Sequence, residues 1–340
     1  MTNAATASSG WCPRRALFAA LGAVLLLAAC DDRPAQRAAP PEPGSAASAP
    51  DAAAPGATAA GAAPPPRPAA ESGSGGVRGA LRHWPAQGRE RAVILALHGF
   101  GDAGELTYAP AATAWAARGI TTYAPDQRGF GANDSRKQWP GSAQLVRDAA
   151  RMAEQVRARH PGRPLIVVGH SMGAGVALAA AEEGMAADGL VLAAPAIAGG
   201  RALNPLARAG AWTLAALVPE RRWSGEGLPI APPSDNVAMM RLVGADPRHF
   251  ATPSSRELYG LLRVMDRAAA AAGAVTTPTL TLMGRNDAFL SPDRIGKVHA
   301  RIPGAAGFRL YEEGWHWLFR DLQAPQVWED VAAFALGLEG

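Results

Sequence analysis

The chain has 340 residues, 48 % of them apolar, enough for one large domain or two modest ones. Its 33 Lys and Arg against 29 Asp and Glu leave a formal net charge of +4, carried by arginines spread along the chain and not by a basic helix or arm. That dispersion argues against a nucleic-acid partner, which calls for a concentrated basic face.

The first quarter does not read as globular. Arg14-Arg15 is followed by an apolar stretch over residues 16–29 that ends in Leu27-Ala28-Ala29-Cys30. About fourteen apolar residues are too few to span a bilayer, so residues 1–29 read as a signal peptide. Leu27 to Cys30 resembles the lipobox of bacterial lipoproteins, and the resemblance implies cleavage before Cys30 and lipid attachment to it. Cys12 leaves with such a leader. A mature chain holding Cys30 alone forms no internal disulfide and no cysteine-based zinc site. Several acyl chains on Cys30 would anchor the protein firmly, and Asp31-Asp32 resembles an inner-membrane retention signal. The expected location is therefore the periplasmic side of a bacterial envelope. Residues 30–76 are Ala, Pro, Gly and Ser with scattered charges and no large apolar side chain after Cys30. Such a segment buries no core and reads as a disordered tether, with a reach on the order of 40 Å.

From Val77 onward, short apolar runs alternate with helical patterns, the layout of a mostly parallel sheet with crossover helices, so residues 77–340 are expected to form one α/β domain. Residues 91–97 read as a strand leading into His98-Gly99-Phe100-Gly101, and residues 120–124 as a strand leading into Asp126-Gln127-Arg128-Gly129-Phe130-Gly131. Leu145, Val146, Ala149, Met152, Ala153 and Val156 recur at helical spacing. Further strands are expected at 165–168, 189–194, 279–283 and 308–311, and Ser291-Pro292 opens a helix with an N-cap and a proline in its first turn. Residues 198–277 break the alternation. A stretch that long, carrying Trp212, Leu214, Leu217, Trp223, Met239 and Met240, is expected to be a helical cap over the active site.

Between strand 165–168 and an alanine-rich helix lies Gly169-His170-Ser171-Met172-Gly173. A strand-to-helix elbow this tight strains the serine backbone, admits only small neighbours and lifts the hydroxyl above the sheet edge. That is how a fold presents a nucleophile. The hydroxyl needs a base, and the base a third group that fixes its tautomer, in the chain order Ser, acid, His with each past a strand end. Of seven histidines, His83 and His98 precede the serine, His160 ends a helix, and His170 lies inside the elbow. His249 precedes the strand that should deliver the acid, and His299 lies within the helix after Ser291. His316 remains as the base. Asp287, on the loop after strand 279–283, is the candidate acid. Asp293 falls in a first helical turn, where it complements the dipole, and Asp126 reads as a loop-ordering residue. Two backbone amides are candidate oxyanion donors: Met172, just after the serine, and Phe100, which its flanking glycines let approach a carbonyl.

With these residues in place the chain resembles the α/β-hydrolases of the monoacylglycerol lipase and lysophospholipase type, grouped with the serine aminopeptidase-like hydrolases. The resemblance rests on His98 to Gly101, Asp126 to Gly131, Gly169 to Gly173, Gly284-Arg285-Asn286-Asp287 and Trp315-His316, and covers roughly residues 77–340. It implies a parallel sheet flanked by helices with a cap, hydrolysis of small or single-chain lipid esters through an acyl-serine, and no metal or cofactor. Ala174 departs from the pattern where such lipases often carry another glycine. Two other functions compete. An aminopeptidase of the same superfamily would need a carboxylate pair in the cap, for which Glu220, Glu226 and Asp235 are the candidates; a non-catalytic lipoprotein scaffold would need none of this chemistry. Oligomeric state and substrate-binding residues are left open.

Overall fold

The structure, a computed structural model, describes residues 69–72, 80–199, 204–224 and 231–339. The leader, Cys30 and most of the tether lie outside them. In chain order the elements are β1 (Ala69–Ser72), β2 (Ala80–Trp84), β3 (Ala92–Leu97), α1 (Gly104–Ala116), β4 (Ile120–Pro125), α2 (Ser142–Arg159), β5 (Leu165–His170) and α3 (Met172–Glu182). There follow β6 (Gly189–Ala193), α4 (Pro205–Leu217), α5 (Val237–Ala245), α6 (Ser255–Ala271), β7 (Thr279–Gly284), α7 (Pro292–His299), β8 (Ala305–Tyr311) and α8 (Ala324–Leu336).

One eight-stranded sheet runs β1-β2-β4-β3-β5-β6-β7-β8. The β1/β2 and β2/β4 pairs are antiparallel and all the others parallel. The central strands are apolar without alternation because both faces are covered. In β3, Val93, Leu95 and Leu97 join one core cluster, with α2, α3, α6 and α7. Ala92, Ile94 and Ala96 join the other, beneath α1 and α8. Leu165 and Val167 against Ile166 and Val168 divide β5 in the same way.

Two expectations are corrected. Residues 69–72, read as tether, pair with β2 from Ala69↔His83 to Ser72↔Ala80. Strand addition at a sheet edge is a backbone interaction and asks little of the side chains. The excursion at 198–277 is also not a cap throughout. Its last helix, α6, packs against α3 as part of the layer on the sheet, with Val264 and Ala268 in the main core. The outer part is α4 and α5, with α4 lying on α6. The boundary between them is marked by a capping box: Ser254 Oγ accepts from Glu257 N at 3.2 Å, and Glu257 Oε2 accepts from Ser254 N at 2.7 Å and from Arg222 at 3.1 Å. An N-cap of this kind contributes about 1 kcal/mol, and here it starts the return to the sheet.

Candidate active site

The site lies where the carboxyl ends of the parallel strands release their loops. β5 ends at His170 and α3 begins at Met172, which leaves Ser171 alone to make the turn, at φ 51° and ψ −113°. A non-glycine residue with positive φ is held there by its surroundings. Ser171 N donates to Ala193 O at 2.9 Å, and a Cβ on Gly173 would stand 2.1 Å from Leu97 O, so the helix can start this close to β3 only with glycine in place.

Asp287 is buried on the turn after β7. Its Oδ1 accepts from the amides of Phe289 (2.8 Å) and Leu290 (3.0 Å), which aims Oδ2 at His316 Nδ1, 2.8 Å away. A carboxylate at Nδ1 places the imidazole proton there and turns the Nε2 lone pair outward. That nitrogen stands 3.2 Å from Ser171 Oγ. A hydroxyl, an imidazole and a carboxylate so connected can move the serine proton to the ring while the carboxylate stabilises the resulting charge.

The structure thus brings Ser171, Asp287 and His316 together, from positions far apart in the chain, and gives His160 and His299 partners away from the site. His160 bonds Tyr123 Oη at 2.9 Å and Glu90 at 2.8 Å, and His299 bonds Thr281 at 2.9 Å. Asp126 accepts from the amides of Gly104 and Ala132, both at 2.8 Å, and so ties the loop after β4 to the start of α1. Among the described residues no acceptor takes the amides of Phe100 and Met172. The loop carrying Phe100 is braced by His98, whose Nε2 accepts from Gln127 N at 2.9 Å and whose Nδ1 donates to Gly99 O at 2.8 Å. Across it, Phe250 N donates to Gly101 O at 2.8 Å, and a Cβ on Gly101, whose φ is 71°, would meet Phe250 O at 2.2 Å. Of the carboxylates considered for holding an amine, Glu220 is exposed and paired with Arg256, Asp235 accepts from Leu322 N, and Glu226 lies outside the described residues.

Three groups around the site escaped sequence reasoning. His170 is buried, and its Nε2 donates to His316 O at 2.9 Å. Burial, with His316 and Arg320 nearby, lowers it to about 3, so the ring is neutral. Asp102 and Arg320 form a buried ion pair at 2.5 Å. Burial works against the Asp102 charge, but the guanidinium and its hydrogen bond prevail and hold the carboxyl down at about 2. Asp321 accepts from Trp315 N at 3.0 Å, and burial, with Asp235 adding to it, lifts its carboxyl to about 7. The one available signal was an Arg-Asp pair set within apolar residues just after His316.

The sequence profile of the hydrolase family described as serine aminopeptidase, S33, matches residues 88–323, from before β3 to past His316. The chain belongs to this family. Among relatives of this hydrolase, a monoacylglycerol lipase of Mycolicibacterium smegmatis is 27 % identical over 282 residues, covering 77 % of this chain and 94 % of the relative. A soluble variant of monoglyceride lipase from Saccharomyces cerevisiae superposes with a TM-score of 0.70 at 21 % identity, covering 82 % of this chain and all of that one. A thermostable carboxyl esterase from Bacillus coagulans does so with a TM-score of 0.65 at 20 % identity, covering 79 % and 97 %. The superpositions show the α/β-hydrolase fold, and membership of this family together with the monoacylglycerol lipase relative marks the protein as a carboxylic ester hydrolase.

Proposed function

We propose that the protein cleaves single-chain lipid esters, monoacylglycerols or lysophospholipids, through an acyl-serine intermediate. Ser171 Oγ attacks the ester carbonyl as His316 Nε2 takes its proton; Asp287 holds the ring, and the Phe100 and Met172 amides receive the developing oxyanion. The ring then returns the proton to the leaving alkoxide. Water, activated by the same nitrogen, releases the fatty acid and restores the serine. The observation that carries this reading is the connected series Ser171, His316 and Asp287 at 3.2 and 2.8 Å.

An apolar acyl chain suits the surroundings. The Phe289 ring, partly exposed, lies 5.0 Å from that of His316, and Leu290 packs with Ala196, Ala211, Leu262 and Met265 beneath α4. Leu206, Trp212 and Leu217 leave apolar surface exposed on α4, as suits a cap that works against lipid. A fluorophosphonate probe should label the full-length protein at Ser171, and Ser171→Ala should abolish both labelling and turnover of p-nitrophenyl esters. A chain-length series extended to monoacylglycerols should show an optimum. Labelling that survives Ser171→Ala, or preference for an N-terminal peptide amide over every ester, would overturn the proposal.

The same proposal places the protein at the periplasmic face of a bacterial envelope, held by lipid on Cys30 after loss of residues 1–29. Cys30→Ser should move it from the membrane pellet to the supernatant while turnover of a soluble ester stays within about twofold, because catalysis does not pass through the anchor. An unchanged pellet fraction would rule the anchor out.

A further inference from the structure

His316 is delivered by β8, yet it must act over β5, and the amide expected to complete the site follows β3. Four ladder steps separate β3 from β8, roughly 19 Å of sheet at strand spacing. The segment after β8 therefore runs back across the strand ends. Besides the hydrogen bonds of Trp317 N to Pro233 O at 2.9 Å and of Asn236 Nδ2 to Arg320 O at 3.0 Å, three ties join it to the strand-end loops. Near its start, Asn286 N donates to Gly314 O at 2.8 Å. At His316 itself, His170 Nε2 donates to the carbonyl at 2.9 Å. At its far end, Arg320 reaches the loop after β3 with Nη2, 2.5 Å from Asp102 Oδ2, and the first turn of α1 with Nη1, 3.4 Å from Leu106 O. The other Asp102 oxygen accepts from Ala103 N at 2.9 Å. The guanidinium lies 4.0 Å above the Trp317 ring, so its direction is set by stacking as well as by charge. Both ionised groups are buried, although an apolar pair of similar volume would serve stability as well or better.

We propose that Arg320 and Asp102 are positioning residues for ester hydrolysis: their ion pair joins the loop of the Phe100 amide to the segment of His316, so that oxyanion donor and base address the same acyl carbonyl. The pair touches no substrate. This inference rests on the ester-hydrolase reading of Ser171, His316 and Asp287. A displacement of about 1 Å between such groups is enough to cost on the order of 10²-fold in rate, and Arg320 with Asp102 sets that separation at the end of the span opposite to β8.

The test uses full-length protein, with kcat and KM for a p-nitrophenyl ester and active sites counted by fluorophosphonate taken to its end point. The double variant Asp102→Leu with Arg320→Met removes both charges together and leaves no lone buried ion. Its melting temperature should stay close to that of the parent while kcat per titrated site falls on the order of 10²-fold and KM stays within about twofold. Arg320→Lys alone, which keeps a cation opposite Asp102, should retain most of the parent kcat, and a loss as large as that of the double variant would count against the pairing role. Should the double variant fail to fold, Asp102→Asn decides by the same two constants, with kcat down and KM unchanged supporting the proposal. Unchanged kcat per titrated site in a folded double variant, or in Asp102→Asn, would overturn it. Ser171→Ala separates the two readings: an inactive Ser171→Ala beside normal pair variants removes only the positioning role, whereas an active Ser171→Ala removes the ester-hydrolase reading itself.

Discussion

Asp287 has no exposed surface to speak of, and both its oxygens are committed: one to two backbone amides, the other to His316. Asp287→Asn would keep the shape of that turn, but its amide would donate toward Nδ1, forcing the ring proton to Nε2, where it faces Ser171. The expected loss in kcat is about 10⁴-fold with little change in thermal stability, measured on a soluble ester and by melting. Activity within tenfold of the parent would mean that another acid serves His316. Which residues meet at this site was legible because each is bound to a local pattern. Gly169 and Gly173 bracket Ser171, Asp287 follows an apolar run, and His316 follows the last one. The Asp102 and Arg320 pair had no such pattern. Its members lie 218 positions apart, and only the return of the segment after β8 across the strand ends brings them together. His170 was visible but read as a bystander, since nothing local reveals that its ring reaches the His316 carbonyl.

At the scale of elements, the parallel strands were the most readable part. β3, β5 and β6 are largely continuous apolar runs because helices cover both faces, and β3 and β5 lead straight into glycine-bearing turns, whereas β7 interleaves the buried Thr279 and Thr281 with Leu280 and Leu282. β1 and β2 were missed for the opposite reason. Ala69-Ala70-Glu71-Ser72 has no apolar alternation, and its pairing to β2 rests on backbone groups. The excursion between β6 and β7 was recognised, but its division was not. α6 carries Leu262, Val264, Met265 and Ala268 toward the core and starts from the Ser254 and Glu257 capping box, a pattern present in the sequence that the richer aromatic content upstream obscured. The outer cap therefore reduces to α4 and α5, and its return is fastened where Phe250 meets Gly101 and where Arg248 bridges Asp246 and Glu105 at 2.8 and 2.6 Å. The segment that seals the Phe100 loop is thus held on the body of the domain, not on the cap.

For the whole molecule, three buried groups near the site make large contributions to how stability varies with pH, and His249 and His299, lowered by burial, add to that of His170 in the same sense. His170 titrates near 3 when folded against an ordinary 6.5, so between those values the unfolded chain binds the extra proton and stability falls as pH falls. Asp102, near 2 against 3.8, adds to that loss below about pH 4. Asp321 acts in the other sense. Near 7 when folded against 3.8, it keeps a proton that the unfolded chain has given up, and stability falls as pH rises across that interval. From about pH 4 to 6.5 the His170 and Asp321 contributions oppose one another, while below that range His170 and Asp102 act together. The parent should therefore show a shallow plateau of melting temperature with a steep acid limb. Asp321→Asn retains an acceptor for Trp315 N and removes the opposing contribution, so its melting temperature should climb from pH 4 to 6.5 and exceed the parent at pH 8. His170→Gln keeps an N–H for the His316 carbonyl and removes the other contribution, so its melting temperature should decline from pH 4 to 7. Circular dichroism melts of the parent and both variants from pH 3 to 8 read all three profiles. Parallel profiles would mean that the buried groups titrate as they do in water and that the site interior is wetter than its packing implies.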